Sequence, residues 1–196
     1  GSATDLGVRM ALAKVGLNAE KDVTLLQIGA QTARFMALQS KNVQATIITP
    51  PFTVTTRKLG FNTLIDMSQL NIPFQLTSLV TTRAYIKSHR DVIAAAVKSL
   101  VEGIHFYKTE KEPSIKIMSK YLQTTDREAL EETYREIALK IVPDKAYPTL
   151  PGIKTILDEL AVKNPKAKTA RPEDFVDTSF LKKLDDEKFF DRLYKR

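Results

Sequence analysis

The feature that most constrains this chain is the alternation of short apolar runs with amphipathic segments in its first half. Residues 23–28 and 43–48 are rich in Val, Ile and Leu and have the length of a buried strand. Gly29 follows the first run and Pro50 and Pro51 follow the second, so both runs stop at turn-forming residues. Helices and strands that alternate through short links are typical of a parallel sheet covered on both faces. The first half therefore predicts an α/β fold.

The pattern changes near Gln75. Residues 76–86 are rich in β-branched side chains and predict one more strand. Beyond them the apolar residues recur at helical spacing, and the stripe on the longest segment is formed by Ile93, Val97, Leu100 and Ile104. We therefore predict two parts, a small α/β lobe over residues 1–75 and a mostly helical part over residues 76–196.

Local signals mark where several helices begin. Ser2 or Thr4 is a suitable cap for a first helix. Pro113 and Pro151 are placed to open two later helices, because proline is favoured in the first helical turn. Thr125 and Glu128 have the spacing of a capping box for a further helix.

The residues that usually carry catalysis or bind metals are scarce. The chain contains no cysteine, which excludes disulfides, thiolate metal sites and a cysteine nucleophile. Its two histidines, His89 and His105, have no plausible partner nearby in the sequence. The adjacent acids at 131–132 and 185–186 point about 100° apart on a helix, so they do not converge on one proton or one metal. We expect a binding protein rather than an enzyme, with no metal and no cofactor.

The formal net charge is +7, from 30 basic and 23 acidic residues. Acidic and basic residues are well mixed; Lys182 and Lys183, for example, are followed directly by Asp185 and Asp186. Such mixing favours a solvated surface over a nucleic-acid-binding patch. No apolar run approaches the length needed to cross a bilayer. Nucleic acid is therefore not an expected partner.

Polar residues gather where the predicted strands meet helices. They are Ser2, Thr4, Gln31, Thr49 and Pro50, in the turns at residues 1–5, 29–32 and 49–51. In open α/β sheets, ligands bind beyond the carboxyl ends of the strands. A helix N-terminus with small hydroxyl residues suits a carboxylate, a sulfonate or another oxyanion. We predict that these five residues form a ligand site, although each of Ser2, Thr4 and Gln31 has an equal claim to be a plain helix cap.

The same residues carry a family resemblance. The runs GSATDLGVRMALAKVGL, DVTLLQIG, QTARFMALQS and ATIITPP resemble a lobe of the solute-binding proteins that serve ABC importers of nitrate, taurine, sulfonates and thiamine pyrimidines. LVTTRAYIKSH and VEGIHFYKTEKE resemble the return into the other lobe. YPTLPGIKTILDEL and PEDFVDTSFLKKLD resemble the C-terminal helices. The ordered series is specific for the family and leaves the ligand open.

The resemblance implies a two-lobed fold of the periplasmic-binding-protein type, with a small anionic or heteroaromatic ligand held between the lobes. It also implies a membrane permease as partner, a periplasmic or lipid-anchored location and a monomeric complete protein. The family's opening segment has no counterpart before Gly1, so we expect a truncated form of that fold.

Two other functions stay open. A related branch of the fold makes the thiamine pyrimidine enzymatically, but it carries a cysteine-rich motif that this chain lacks. The helices after residue 90 are also compatible with a protein-interaction module. Ligand titration separates the three, because a receptor releases its ligand unchanged, an enzyme converts it and an interaction module ignores it.

Overall fold

The computed structural model of the chain describes residues 2–162 and 164–195. The chain forms two compact units. Unit 1 contains residues 1–72 and 126–132, and unit 2 contains residues 73–125 and 133–196. The predicted division of the chain between residues 75 and 76 stays a prediction.

Unit 1 is built from short helices joined by extended chain. Its elements are α1 (Ala3–Lys14), α2 (Gln31–Gln39), α3 (Phe52–Lys58), a 3-10 turn (Met67–Leu70) and the part of α7 (Arg127–Thr133) up to residue 132. Neighbouring side chains approach α1 closely at Gly7. A Cβ atom added there would lie 3.4 Å from Ile47 and 3.5 Å from Met67. A glycine at this position lets the extended chain around residue 47 approach the helix backbone.

The contact between α3 and α7 is polar at its edge. The Arg57 guanidinium pairs with both carboxylate oxygens of Glu132, at 3.2 and 2.5 Å. The Lys58 ammonium lies 3.0 Å from Asp126 and 2.8 Å from Glu128. Two cations of α3 therefore face two acids of α7 and the acid that directly precedes it.

Unit 2 is a helical assembly. Its elements are α4 (Arg83–Ser88), α5 (Arg90–Thr109), α6 (Lys111–Leu122), a π-helical segment (Tyr134–Ile141), α8 (Leu150–Ala161), two 3-10 turns (Pro165–Lys168 and Pro172–Phe175), α9 (Ser179–Asp186) and α10 (Phe189–Tyr194). Its core cluster joins Val101 of α5, Leu181 of α9 and Phe190 of α10, with exposed fractions of 0, 7 and 2%. The long helix α5 is the element on which the two C-terminal helices pack.

The predicted sheet is not formed in the described residues. Residues 23–28 and 43–48 form no strand; the backbone hydrogen bond recorded there runs from the Val43 N–H to the Ala37 carbonyl at 3.3 Å and belongs to the end of α2. Residues 83–86 belong to α4 instead of a strand. The predicted fold class, a two-lobed α/β periplasmic-binding-protein-like fold with a mostly helical C-terminal part, is therefore wrong for the described chain, whose regular elements are all helical.

The strand predictions failed because an apolar run indicates only that a segment is hydrophobic. It does not show that a second strand is available to pair with it. A strand needs a second backbone to accept and donate its hydrogen bonds, and burial of at least one face. Here Leu26, Leu79 and Val80 are 60, 57 and 82% exposed. Neither condition is met around these side chains.

Two helix starts also differ from the sequence prediction. α6 begins at Lys111, two residues before Pro113. The N–H of Ala129 donates to Asp126 Oδ1 at 3.1 Å, so Asp126 rather than Thr125 caps α7. The predictions for α1 and α8 are confirmed, because Ser2 caps α1 and Pro151 is the second residue of α8.

Candidate functional site

Gln31 and Thr49 form a closed hydrogen-bonded pair in unit 1. The Gln31 Nε2 donates to the carbonyl oxygen of Thr49 at 3.2 Å. In return the backbone N–H and the hydroxyl of Thr49 both donate to Gln31 Oε1, at 3.0 and 2.7 Å. This Gln31–Thr49 clamp joins the start of α2 to the end of the extended chain at residues 43–48. Two of the five predicted site residues are thus in direct contact, 18 positions apart in sequence.

Arg34 supports the clamp from the next turn of α2. Its Nη1 donates to the carbonyl oxygen of Gly29 at 2.5 Å, and its Nε donates to that of Ile47 at 3.5 Å. The guanidinium therefore ties the end of one extended segment to the end of the other. Sequence reasoning missed this residue. The available signal was its position three residues after Gln31, which places both side chains on one face of the helix.

No side chain caps the first turn of α2. Its N-cap is Ala30, which has no side chain able to accept from the free N–H groups of that turn. Such N–H groups and the positive end of the helix dipole favour a negatively charged ligand. Gly29 precedes this turn with a φ of 95°, a conformation that glycine adopts without strain. The hydroxyl of Thr49 and the charge of Arg34 lie beside the same turn, as their bonds to Gln31 and Gly29 show.

Ser2 and Thr4 have different local roles in the other predicted turn. The Ser2 hydroxyl oxygen accepts from the N–H of Asp5 at 3.2 Å and so acts as the helix cap. Thr4 is half-buried, and its hydroxyl has no hydrogen bond to another described residue. Gly1, the first residue of this turn, lies outside the described residues.

The structure leaves part of the predicted site unconnected. Pro50 follows Thr49 directly, is half-buried and forms a cis peptide bond with Pro51. No hydrogen bond between described residues joins Ser2 or Thr4 to the Gln31–Thr49 clamp. The common ligand site of these five residues therefore stays a prediction.

The acidic side of α1 is neutralised locally. Arg9 donates to Asp5 at 3.1 Å and to Glu20 at 2.6 Å. The hydrogen bond to Glu20 is the main reason that the pKa of Arg9 is raised above its ordinary value. Asp5 is therefore engaged by a cation one turn away.

The two histidines stand in aromatic surroundings. His89 stacks on Tyr85 with ring centroids 4.2 Å apart, and its Nδ1 lies 2.7 Å from the Ser88 hydroxyl. His105 meets the ring of Tyr194 edge-on at 4.8 Å.

Over residues 2–162 and 164–195, no cluster of three or more acids and histidines has the geometry to hold a metal ion. In the same residues, no helix combines the length and apolarity that a membrane span requires.

Comparison with known proteins identifies the family. The sequence profile described as the NMT1-like family matches residues 1–122, which is more than half of the chain and includes the Gln31–Thr49 clamp. The chain belongs to the NMT1-like family, and the resemblance seen in the sequence is confirmed. No curated protein and no solved structure matches the chain at a significant level.

Membership gives a general functional class. NMT1-like proteins are mostly substrate-binding proteins of ABC transporters, typically extracellular or periplasmic, and the wider group includes thiamine-pyrimidine-forming enzymes. The family therefore supports small-molecule binding in association with an ABC transporter.

Proposed function

We propose that this chain is a solute-binding receptor component of an ABC importer and that it binds a small anionic or heteroaromatic ligand. The observation that carries the proposal is the Gln31–Thr49 clamp within the range matched by the family profile. The importer's membrane permease is the proposed partner. The proposed location is the periplasm or the outer face of the membrane through a lipid anchor, with the complete protein acting as a monomer.

The polar groups around the clamp support an anion. The uncapped first turn of α2 offers backbone N–H donors, and Arg34 adds a positive charge. The Thr49 hydroxyl adds a donor that can turn from Gln31 to a ligand. A sulfonate, a nitrate, an aromatic acid or the polar edge of a pyrimidine fits such a set of donors.

The α1 turn completes the proposed site. Ile47 would lie 3.4 Å from a Cβ atom on Gly7, so the chain that leads to Thr49 passes beside α1, the helix that contains Thr4 and is capped by Ser2. Thr4 lies three residues before Gly7, so the two share one face of α1. In this proposal the hydroxyls of Ser2 and Thr4 donate to the ligand, and Pro50 supplies an apolar wall.

A thermal-shift screen tests the ligand class. The wild-type protein is heated with taurine, nitrate, an aminopyrimidine and an aromatic acid, and we expect one class to raise the melting temperature because the ligand binds the native state. Gln31→Ala and Thr49→Val should remove that shift. Thr63→Val is the matched control, because Thr63 is exposed and lies outside the clamp. Stabilisation by sugars or cationic amines alone would overturn the proposal.

Binding without conversion separates the receptor from the enzyme of the same family. The stabilising ligand is incubated with the protein and followed by mass spectrometry, and it should be recovered unchanged. Turnover at a catalytic rate would establish the enzymatic alternative.

A further inference from the structure

A cleft of about 210 Å³ lies between α5 and α9 in unit 2. Its apolar surface is formed by Ala94 and Ala95 on α5 and by Phe180 and Leu184 on α9. The two alanines leave space that larger side chains at these positions would fill. Phe180 and Leu184 lie one helical turn apart and so face the cleft together.

Two lysines and one acid add charge to this apolar surface. Lys98 of α5 and Lys183 of α9 line the cleft from opposite helices, together with Glu187. The ammonium of Lys98 also lies 5.2 Å from the centre of the Phe189 ring. The cleft thus combines an apolar wall with cationic groups on both sides.

The lysine charges are only weakly engaged. Lys98 lies 3.9 Å from Glu102, and Lys183 lies 3.9 Å from Glu187. The lysine side chains are 51 and 72% exposed, so solvent screens both pairs. Exposed ion pairs of this kind contribute little to stability. Either ammonium can therefore turn to a ligand anion at small cost.

We propose that this cleft is a second ligand site, which takes a small organic anion with a single flat apolar ring, such as an aromatic carboxylate. A cleft of about 210 Å³ has room for one ring and its acidic group. The ring packs against Phe180 and Leu184, and the carboxylate accepts from Lys98 or Lys183. The α9 half of the cleft lies outside residues 1–122, and the cleft shares no lining residue with the Gln31–Thr49 clamp.

The apolar part is tested with phenylacetate as the probe. Titration of the full chain, followed by amide NMR shifts, should show saturable changes in α5 and α9. Ala95→Leu fills the cleft with a residue that is nearly as good a helix former and should abolish these changes. Ala96→Leu is the matched control, since Ala96 is exposed on the same helix and does not line the cleft. Equal loss in both variants would overturn the proposal.

The charge is tested by a second pair of variants. Lys183→Met should weaken phenylacetate binding by about two- to fivefold, the range that one exposed ion pair supports. Lys182→Met should leave it unchanged, because Lys182 is equally exposed on α9 and lies outside the cleft. Neutral phenylacetamide should bind less well than phenylacetate. Equal binding of the two probes would refute the anion site.

The two proposed sites can be distinguished in the same experiment. Gln31→Ala should leave the α5 and α9 shifts unaltered, whatever its effect on ligands of the clamp. Shifts that vanish in Gln31→Ala and persist in Ala95→Leu would assign phenylacetate to the clamp and overturn the second site.

Discussion

Ser2 holds the start of α1 with its side chain, whereas Thr4 lies inside the first turn. The Ser2 oxygen accepts from the N–H of Asp5, which would otherwise lack a partner within the helix. Ser2→Ala should therefore lower the free energy of unfolding by about 1 kcal/mol, the usual value of an N-cap. Urea unfolding monitored by circular dichroism measures the change.

Thr4→Ala is the matched comparison for this cap. Thr4 makes no capping bond to a described residue, so its replacement should cost less than that of Ser2. A loss at Thr4 as large as the loss at Ser2 would contradict this assignment. The pair also bears on the ligand site, because an effect of Thr4→Ala on affinity alone would separate ligand contact from helix capping.

Asp126, which lies between α3 and α7, makes the stability of the protein depend on pH. The pKa of Asp126 is lowered, first because its carboxylate accepts from the N–H of Ala129 and then because of Lys58. A carboxyl group with a lowered folded-state pKa stabilises the protein above its unfolded pKa of about 3.9. That contribution is lost as the pH falls through the folded-state value.

Asp126→Asn should therefore flatten the acid limb of the stability curve below about pH 4. Asparagine keeps the helix cap but cannot carry the charge. Lys58→Met should act in the same direction, because it removes the second cause of the lowered pKa. Urea unfolding at a series of acidic pH values provides the measurement. An acid limb in Asp126→Asn that is as steep as that of wild type would show that this carboxylate does not contribute.

The start of α8 depends on a close backbone approach. A Cβ atom on Gly152 would lie 2.7 Å from the backbone nitrogen of Gln75 and 2.8 Å from the carbonyl carbon of Phe74, and it would also meet the Thr149 hydroxyl. The Gln75 side chain accepts from the N–H of Thr149 at 2.8 Å and fixes this segment against the helix. An added Cβ atom therefore forces the backbone at Phe74 and Gln75 or the start of α8 to shift.

Gly152→Ala should lower the free energy of unfolding by about 1–3 kcal/mol through overpacking, although alanine is the better helix former. Gly103 in α5 is the control, since nothing lies within 4 Å of its added Cβ. There the same substitution should stabilise the protein by up to about 1 kcal/mol. Thermal unfolding of both variants measures the two effects. A stabilised Gly152→Ala would show that the backbone at Phe74 and Gln75 does not pack tightly against Gly152.

Helices were more predictable from this sequence than strands because their signals are local. Ser2 and Pro151 mark helix starts through bonds and dihedral restrictions within one turn. The strand predictions depended on partners elsewhere in the chain, and the described residues supply none.

The clamp was predicted only in part for the same reason. Gln31 and Thr49 were identified from their positions at turns, and they do meet. Arg34 was missed because its role depends on the carbonyl groups of Gly29 and Ile47, whose approach no local pattern encodes. Which of the five predicted residues contact a ligand likewise depends on how segments that are far apart in the sequence come together.

The net charge of +7 is spread over the whole molecule. Many cations have an acid one helical turn away, including Lys98–Glu102, Arg127–Glu131, Lys140–Glu136, Lys154–Asp158, Lys182–Asp186 and Lys183–Glu187. Each pair contributes little to stability on an exposed surface. Together they divide the positive charge into small areas, so that a continuous basic face is not expected.

This distribution predicts weak, salt-sensitive binding to nucleic acids. Binding to DNA through phosphates requires several cations along one groove, and its affinity falls steeply as salt rises. Fluorescence anisotropy with a short labelled duplex should show association only at low ionic strength and none near 0.15 M, where the screening length is about 8 Å. The small-molecule ligand should stay bound under both conditions, because it contacts hydrogen-bond donors at short range. Tight duplex binding at physiological salt would instead identify the basic residues as a nucleic-acid interface.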